Sequence, residues 1–367
     1  MEHNKKKFDV VIIGGGPSGC TAAFNLKKSG LNVLILDKAE FPRHKPCAGG
    51  ITMKTLKHLP VDIDHLVEHT AKKMIFDFGG SKRVGLSHNI GSCVMVIRDE
   101  FDNHFFNETL KIGVKFRKIN QIKNIQSLST ITIEVDNDQI ECKYLIGADG
   151  ANSVVRKLTS NLKYKNPVFA YEGKVPKNKT NIQTEFIFNK YGYAWIFPKK
   201  DHYNVGIGRL VPSPDNKKLS KKELFDFVSK RFNNENVDNI TAYPIGTEGQ
   251  EYQAVNNIFL VGDAAGFAES LLGEGIYNAV LSGKYAAKSI ISSLYNKKST
   301  AVENYNSFLS DLKNELQIYQ KGSKILYGFP RISYWMMRLG LGKKFMNGYS
   351  EGKTLTEIMG KSNIFAN

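Results

Sequence analysis

Apolar runs that end in glycines open the chain. Residues 8–13 are apolar, largely β-branched and followed by glycines, which is typical of a buried parallel strand. Residues 17–28 suit a helix that stops at Gly30. A second apolar run, 33–36, ends at Asp37. The pattern predicts a βαβ unit with two parallel strands.

The next part of the chain changes between apolar and polar positions more quickly. Residues 72–97 carry short alternating runs broken by glycines, which indicates antiparallel strands. Residues 99–113 place phenylalanines near helical spacing and end in glycine, so they predict a helix. Strands are predicted near 131–135 and 140–147.

The second half of the chain continues with strands and then with helices. Residues 165–248 contain a lysine-rich helical pattern near 219–232 and aromatic strand patterns at 184–188, 191–197 and 203–208. Residues 257–262 predict another buried strand. A helix rich in small residues follows through about 293, and a helical tail begins near 302.

These elements predict an α/β fold with a discontinuous Rossmann-like domain, an inserted antiparallel-sheet substrate domain and a helical C-terminal tail. We place the Rossmann-like domain at 1–70, 95–160 and 250–300 and the substrate domain at 71–94 and 161–249. A C-terminal helical region covers 301–367. The length of 367 residues exceeds that of a usual single domain. Two domains with a cofactor cleft between them are therefore expected.

The charge balance bears on the partners. Lys and Arg number 51 against 35 Asp and Glu, which gives a net charge of +16. Such an excess favours phosphates, anionic lipid surfaces or nucleic acid. The chain carries no nucleic-acid-binding signature. We therefore expect no nucleic-acid partner and rank contact with an anionic membrane above it.

The cysteines and the longest uncharged run bear on the compartment. Cys20, Cys47, Cys93 and Cys142 have neither paired nor metal-ligand spacing, so we expect reduced thiols and no metal. Residues 10–26 are interrupted by glycines, lack a signal-cleavage site and are short for a membrane span of roughly 20 residues. We expect a cytoplasmic protein and leave open a peripheral contact with the inner face of the membrane.

The first glycine motif predicts a dinucleotide site. Gly14-x-Gly16-x-x-Gly19 joins the first strand to the first helix. Its glycines allow, in turn, the bend, the approach of a pyrophosphate and close helix–strand packing, and the helix N-terminus attracts phosphate. A carboxylate at the end of the second strand accepts ribose hydroxyls. The predicted cofactor-binding residues here are Gly14, Gly16, Pro17, Ser18, Gly19, Asp37 and Lys38.

A second phosphate-binding pattern lies about 250 residues later. Gly262-Asp263 follows a buried strand and is predicted to open a helix, and Gly273-x-Gly275 restarts a helix at Ile276. Asp263 suits a flavin ribityl hydroxyl, and the amides near Gly275 suit the negative charge of reduced flavin. The two patterns together indicate FAD rather than NAD. The Rossmann-like domain is thus predicted to be an FAD-binding domain.

Arg98 stands just before the predicted helix at 99–113. A fixed guanidinium there suits the pyrophosphate or the ribityl region of the cofactor. The alternative is a surface ion pair with a neighbouring acid such as Glu100. We favour the cofactor role.

A cysteine lies in a glycine-rich turn between the two glycine motifs. The turn reads Lys45-Pro46-Cys47-Ala48-Gly49-Gly50. Free cysteines are most often small apolar fillers. Its setting beside the expected cofactor favours a chemical role for Cys47.

Together these motifs resemble the geranylgeranyl reductase family, within the flavoproteins built like para-hydroxybenzoate hydroxylase. The matching segments span residues 8 to about 290 and are 14–19, 45–50, 98–102, 147–156, 193–199 and 262–276. The glycine motifs specify only the larger group. The cysteine turn and the Tyr-x-Trp-x-Phe-Pro segment at 193–198 specify the reductase family.

The resemblance implies FAD-dependent reduction of prenyl double bonds in an isoprenoid lipid, a quinone tail or a prenyl diphosphate. Hydride from reduced flavin reaches one alkene carbon, and Cys47 either donates a proton to the other or positions the alkene. A thiol with an ordinary pKa of about 8.5 is mostly protonated at neutral pH, as a donor must be. An isolated alkene also requires close positioning and exclusion of water.

The resemblance also assigns further site residues. Tyr193, Trp195 and Phe197 alternate along one strand and share a face. A plain core is the commoner role of such a face, and we favour a prenyl tunnel, with Gly49 and Gly50 beside the substrate. The implied cofactor contacts from this set are Lys45, Cys47, Ala48, Asp149 and Gly150.

Two departures from the family pattern concern the substrate more than FAD. The family turn reads Pro-Cys-Gly-Gly-Gly, and Ala48 replaces its first glycine. The proline before Gly-Glu-Gly is missing, and Ser270-Leu271-Leu272 stands there.

Two other functions and two electron donors stay open. The same scaffold suits a monooxygenase of an aromatic or terpenoid substrate, or a flavin electron carrier without a small substrate of its own. The sequence has no second GxGxxG motif, and either NADPH or a ferredoxin-like reductant is compatible with it. In the tail, Ile332, Trp335, Met336 and Leu339 have helical spacing beside cations. They suit either a lipid surface or interior packing.

Overall fold

The computed structural model describes residues 6–160, 162–163, 168–177, 181–211, 218–233, 236–295 and 298–360. The extreme ends of the predicted domain ranges lie outside them. The strands are β1 (Lys6–Ile13), β2 (Val33–Asp37), β3 (Gly50–Thr52), β4 (His69–Thr70), β5 (Lys73–Asp77), β6 (Arg83–Ser87), β7 (Cys93–Met95), β8 (Lys115–Lys118), β9 (Ile122–Ser127), β10 (Ile131–Val135), β11 (Asp138–Gly147), β12 (Val168–Pro176), β13 (Thr184–Asn189), β14 (Gly192–Pro198), β15 (His202–Arg209), β16 (Asp238–Ile245) and β17 (Ile258–Leu260). The helices are α1 (Pro17–Lys28), α2 (Met53–Leu56), α3 (Arg98–Lys111), α4 (Val154–Thr159), α5 (Lys221–Arg231), α6 (Ile276–Tyr295), α7 (Ala301–Gly328), α8 (Pro330–Met336), α9 (Gly342–Ser350) and α10 (Leu355–Met359).

The first sheet carries the glycine motifs. Its strand order is β8-β2-β1-β11-β10-β9, with β17 beside β11. β1 pairs in parallel with β2 and β11, and Ile12 lies between Ile35 and Ile146. All three side chains are fully buried, as a parallel sheet covered on both faces requires. The predicted βαβ unit and the α/β class are confirmed.

The second sheet has the order β16-β12-β15-β14-β13-β5-β6. It is antiparallel apart from β5, which pairs in parallel with β13. β5 and β6 come from an earlier part of the chain than the other five strands and join them at the sheet edge. A third, small sheet has the order β3-β7-β4. The domain bounds given above stay a proposal.

The segment after β17 differs from the predicted pattern. Gly262-Asp263 forms only a short 3₁₀ turn, Gly262–Ala264, and the long helix α6 begins at Ile276. Gly262, Gly266 and Gly273 have φ values of +55°, +79° and +73°. Left-handed residues do not continue a right-handed helix, so a loop crosses this region before α6.

The C-terminal helices complete the core of the second sheet. α7 packs along α6, and Tyr327, Tyr334 and Met346 join the apolar cluster that contains Phe186 and Phe188 of β13. Within the described residues, none of the helices combines the length and apolarity needed to span a bilayer. Because Tyr327, Tyr334 and Met346 lie in this cluster, one face of the C-terminal tail packs in the interior.

Candidate active site

A single cavity of about 750 Å³ extends between the two large sheets and the C-terminal helices. One end is lined by the first glycine turn together with Asp37 and Lys38. The cysteine turn lies along it, and aromatic residues of the second sheet line its apolar part. The cavity brings together all the predicted site residues except Gly19 and Gly262.

The glycine turn is built by backbone contacts. Gly14 has φ +106°, and a Cβ there would lie 2.3 Å from the Ala148 carbonyl oxygen. A Cβ on Gly19 would lie 1.9 Å from the Gly14 oxygen, whereas one on Gly16 would meet nothing closer than Arg43, at 3.5 Å. Gly14 and Gly19 therefore permit close packing. Gly16 leaves the backbone open to the cavity beside the N-terminus of α1, as a bound pyrophosphate requires.

Gly14→Ala tests this turn. The substitution forces a side chain into a left-handed position and against the Ala148 backbone, which costs about 1–3 kcal/mol in strain before the clash is counted. We expect purified protein with little bound flavin, measured by its visible absorbance. Gly30→Ala is the matched control, because Gly30 has φ +85° but open space around it. Flavin retention in Gly14→Ala equal to that of Gly30→Ala would contradict the assignment.

Asp37 joins the end of β2 to the glycine turn. Its Oδ2 accepts the Gly15 N–H at 2.7 Å and its Oδ1 accepts the Ala39 N–H at 2.9 Å. The carboxylate is half-buried and lines the cavity beside Lys38. Each carboxylate oxygen has a further lone pair, so ribose hydroxyls fit this position.

Arg98 belongs to a buried charge cluster. It donates two hydrogen bonds to Asp102, at 2.8 and 2.9 Å, and Arg43 pairs with the same carboxylate at 2.9 Å. Arg98 does pair with a neighbouring acid, but the acid is Asp102 rather than Glu100, and the pair is buried rather than on the surface because Arg98 is only 7% exposed. Two guanidiniums share one carboxylate, which leaves one net positive charge at the cavity wall. That charge matches a pyrophosphate.

The second cofactor motif lies across the cavity. Asp263 Oδ2 accepts the Gly246 N–H at 3.3 Å, and burial raises the pKa of Asp263 while Lys45 opposes this. Burial lowers the pKa of Lys45 to about 8, and its ammonium lies 3.3 Å from the centre of the Tyr243 ring. A Cβ on Gly262 would lie 3.2 Å from Ala279, so this glycine permits packing against α6.

Asp149 has a local structural role. It accepts the Ser153 hydroxyl at 2.5 Å and the Val154 and Val155 N–H groups at 2.6 and 3.2 Å. Burial raises the pKa of this carboxyl, and those hydrogen bonds oppose the rise. Its side chain thus stabilises the N-terminus of α4, and this residue and Gly150 line the cavity.

Two buried charges from the second sheet hold the cysteine turn. The Cys47 N–H donates to Glu172 Oε1 at 2.8 Å. Lys199 donates to the carbonyls of Ala48 and Val96 at 2.9 and 2.8 Å. Burial raises the pKa of Glu172, and burial lowers the pKa of Lys199 to about 8. The turn is therefore fixed by residues of β12 and of the segment after β14.

Ala48 fits the turn although the family has glycine there. The left-handed residue of the turn is Gly49, with φ +71°, and Ala48 is outside that region. A Cβ on Gly49 would lie 2.1 Å from the Val96 oxygen. The glycine requirement thus falls on Gly49, and Ala48 adds a methyl group beside the apolar cluster of the second sheet.

The Cys47 thiol differs from the other three. Its sulfur accepts the Gly49 N–H at 3.4 Å. All four cysteines are free thiols, but Cys20, Cys93 and Cys142 are buried and Cys47 is partly exposed. Arg98 lines the same cavity as Cys47. Burial lowers the pKa of its guanidinium, whereas Asp102 and an ionised Cys47 raise it and outweigh that effect.

The aromatic strand lines the apolar part of the cavity. Tyr193, Trp195 and Phe197 of β14 are buried and line it, while the alternate Ala194 and Ile196 pack in a separate core beneath α5. The Trp195 indole donates to Asn204 at 2.8 Å, and the Tyr193 hydroxyl donates to the Leu272 carbonyl. The other apolar residues along this part of the wall include Met74, Phe76, Phe186, Phe188, Leu210, Leu326, Met336, Met337, Leu341 and Phe345.

A buried ion pair anchors the Gly273–Gly275 loop. Lys54 is 3% exposed and lies 2.9 Å from Glu274, and it also donates to the Tyr319 hydroxyl at 3.1 Å. Thr52 donates to the same glutamate at 2.7 Å. Burial raises the pKa of the neighbouring Glu269 to about 7, although its carboxyl accepts the Glu274 N–H at 2.9 Å.

Sequence reasoning missed several of these residues. Arg43, Lys54, Glu172 and Glu274 were assigned no role, and Lys199 appeared only as the end of a matched segment. Their partners are remote in sequence, as between Glu172 and Cys47, which are 125 residues apart. A single sequence carries no periodic signal for such pairs.

Comparisons with known proteins show the family to which this chain belongs. Residues 7–308 match the family model of the FAD-binding domain. The chain is 35% identical over 296 residues to an uncharacterized protein of Methanosarcina barkeri. The alignment covers 79% of this chain and 76% of that one. It is 30% identical over 313 residues to geranylgeranyl diphosphate reductase of Rhodobacter capsulatus, with 80% and 77% covered.

Other comparisons extend to a lipid reductase and to solved structures. Digeranylgeranylglycerophospholipid reductase 1 of Methanococcoides burtonii is 29% identical over 309 residues, with 77% of this chain and 74% of that one covered. A geranylgeranyl bacteriochlorophyll reductase-like structure from Thermoplasma acidophilum has a TM-score of 0.70 at 22% identity, with 97% and 96% covered. A flavin-dependent brominase has a TM-score of 0.77 at 17% identity, with 95% and 94% covered. Because the sequence identity to these two solved structures is low, the structural likeness shows the fold alone.

The fold, the glycine cradle and the family match define an FAD-dependent oxidoreductase. FAD is the cofactor, as the paired glycine motifs predict. Within this class, the chain belongs to the geranylgeranyl reductase family, which confirms the resemblance noted from its motifs.

Proposed function

We propose that this oxidoreductase reduces carbon–carbon double bonds of a prenyl lipid, a quinone tail or a prenyl diphosphate. The observation that carries the proposal is the continuous cavity from the cofactor cradle past Cys47 into an aromatic and aliphatic wall. A flexible, uncharged hydrocarbon chain suits such a wall. The names of two relatives, a geranylgeranyl diphosphate reductase and a digeranylgeranylglycerophospholipid reductase, support the same substrate class.

The residues of the chain divide the work of such a reaction. Bound FAD, when reduced, supplies the hydride that adds to one alkene carbon. We assign the proton for the other carbon to the Cys47 thiol, whose thiolate then recovers a proton from water. Arg98 lines the same cavity, and we propose that its positive charge stabilises the thiolate that develops. Glu172 and Lys199 hold the backbone on either side of the sulfur.

Cofactor and substrate contacts follow from the same cavity. We propose that Gly14, Gly16, Asp37 and Arg98 hold the adenosine and pyrophosphate parts of FAD. The further proposed cofactor contacts are Pro17, Ser18, Lys38, Lys45, Cys47, Ala48, Asp149, Gly150, Asp263, Gly273, Gly275 and Ile276. Gly49 and Gly50, with the β14 aromatics, are proposed to contact the prenyl chain and to exclude water from it.

The direct test uses the purified FAD-loaded protein. Reduced chemically under nitrogen, it should convert geranylgeranyl diphosphate or a prenylated phospholipid to products that gain two hydrogen atoms per reduced bond, read by mass spectrometry. Stoichiometric incorporation of oxygen in air would instead identify a monooxygenase. Flavin that accepts electrons without any alkene turnover would identify an electron carrier. Bleaching of the flavin by NADPH or by a ferredoxin-like reductant assigns the donor.

Gly322→Leu tests the hydrocarbon part of the cavity. Gly322 lies in α7 and lines the cavity, and a Cβ there would be 3.7 Å from Leu271. Leucine favours a helix over glycine by about 1 kcal/mol, so the helix tolerates the change while the cavity narrows. We expect kcat/KM for geranylgeranyl diphosphate to fall about tenfold, with a smaller change for geranyl diphosphate.

Gly328→Leu is the matched control for this substitution. Gly328 ends the same helix, and no atom lies within 4 Å of its added Cβ. Steady-state rates with the two diphosphates separate the variants. If Gly322→Leu lowers kcat/KM equally for the long and the short substrate, this part of the cavity does not bind the hydrocarbon chain.

A further inference from the structure

Exposed apolar side chains concentrate on one outer surface of the C-terminal helices. Among the described residues twelve large hydrophobic side chains are exposed, and four of them fall within residues 329–339. Phe329 immediately precedes α8, and Ile332 and Trp335 follow it within the helix at intervals of three residues. These three side chains are 59%, 54% and 52% exposed, and Leu339 is 79% exposed. Scattered exposed hydrophobics are ordinary. A cluster of four on one short segment is not, and we call it the α8 patch.

The α8 patch lies on the outside of the cavity wall. Ser333, Met336 and Met337 of the same segment line the cavity, and Tyr334 is 6% exposed within the core. The thickness of this single helical segment thus separates the apolar cavity from the apolar outer surface. This answers the question raised by the tail sequence, because Met336 faces inward while Ile332, Trp335 and Leu339 face solvent.

The surroundings of the α8 patch are cationic. From residue 316 to residue 350 the sequence contains six Lys or Arg and no Asp or Glu. Arg331, Lys343 and Lys344 are exposed near the patch. The Arg338 guanidinium lies 5.7 Å from the centre of the Trp335 ring. Aromatic side chains beside cations, around exposed aliphatic groups, match the boundary between lipid headgroups and acyl chains.

A left-handed glycine shapes the tip of this surface. Gly340 has φ +130°, and no atom lies within 4 Å of where its Cβ would be. The backbone there departs from the helix between α8 and α9. Leu339, the most exposed apolar residue of the segment, stands immediately before this kink.

We propose that the α8 patch docks this protein on the surface of an anionic lipid bilayer. The apolar side chains enter the interface, and the surrounding cations attract the negative headgroups. Docking places the cavity wall against the membrane. The inference goes beyond the proposed reduction, since it concerns where the enzyme is held rather than what it transforms.

Vesicle sedimentation of the full FAD-loaded chain tests the proposal. We expect binding to vesicles of equal phosphatidylglycerol and phosphatidylcholine, weaker binding to pure phosphatidylcholine, and loss of binding as salt rises. The double variant Trp335→Ser, Leu339→Ser should bind about tenfold less, because two large apolar groups no longer enter the interface. Leu128→Ser is the control, since Leu128 is 85% exposed on a turn of the first sheet.

Fluorescence provides an independent readout. The chain has two tryptophans, and Trp195 is 5% exposed whereas Trp335 is 52% exposed. Docking should shift the emission to shorter wavelength, and Trp335→Phe should abolish the shift while retaining binding. Unchanged flavin content and melting temperature establish that the variants are folded.

Two outcomes would overturn the proposal. Equal vesicle binding by the parent and the double variant would exclude the α8 patch as the docking surface. Dissociation of a dimer by the double variant in sedimentation velocity, without an effect on vesicle binding, would assign the patch to a second copy of the chain. These vesicles contain no prenyl substrate, and reduction of a dissolved prenyl diphosphate needs no vesicle. Failure here is therefore distinguishable from failure of the proposed reaction.

Discussion

Cys47→Ala should leave the protein yellow with bound FAD but lower the rate of prenyl reduction by about a hundredfold or more, the usual contribution of a positioned proton donor. Alanine retains the backbone N–H that donates to Glu172 and the carbonyl contacts of Lys199 with its neighbours. Within the turn, alanine removes only the 3.4 Å contact from the Gly49 N–H to the sulfur, so the loss reports mainly on the thiol. Single-turnover oxidation of reduced flavin by geranylgeranyl diphosphate measures it.

Cys93→Ala is the matched control for that experiment. Cys93 lines the same cavity, but it is 7% exposed and burial raises its pKa to about 12. It lies on β7, outside the glycine-rich turn. We expect a change of less than about threefold, since only packing is altered. If Cys47→Ala turns over as fast as Cys93→Ala, the proton comes from another group.

Lys54→Met should destabilise the fold by about 3 kcal/mol, because it leaves Glu274, whose side chain is only 18% exposed, without its charged partner. Burial lowers the pKa of Lys54, but the nearby Glu274 outweighs this and raises it. The ammonium therefore stays charged at neutral pH, and the stability that the raised pKa contributes is lost only as the pH rises from the ordinary lysine pKa through the raised one. Chemical denaturation of the FAD-loaded protein, with and without excess FAD, measures the change.

Two further variants test the origin of that effect. Lys57→Met removes an exposed cation just after the same short helix and should change stability by less than about 1 kcal/mol. The double variant Lys54→Met, Glu274→Gln should recover part of the loss, because it removes the uncompensated charge. A double variant as unstable as the sum of the single ones would contradict a direct pair.

Local patterns predicted the cofactor side of the molecule well. The first helix was expected at 17–28 and is Pro17–Lys28, because a glycine turn, an N-terminal proline and a following glycine bound it. The third helix was expected at 99–113 and is Arg98–Lys111. The helix restart at Ile276 was expected and is the start of α6, whereas the helix expected to open at Gly262-Asp263 is only a short turn, because left-handed glycines interrupt this stretch.

The substrate side depended on contacts that a single sequence does not encode. The alternation of Tyr193, Trp195 and Phe197 predicted a shared face, but the helices that cover this face come from α7 onward. Likewise, the Arg98–Asp102 pair lies within one predicted helix, but the second cation on this carboxylate, Arg43, comes from a remote part of the chain. The residues of the site could be identified in the sequence, whereas their contact partners could be identified only in the folded structure.

The position of Lys199 and Glu172 has a consequence for engineering. Both belong to the sheet whose aromatic side chains line the hydrocarbon cavity, yet both hold the turn that contains Cys47. A chimera that receives this sheet from a relative would receive different contacts to the turn that contains Cys47, together with a different cavity shape. Chain-length preference and turnover would then change together unless Lys199 and Glu172 of this chain are kept in the chimera.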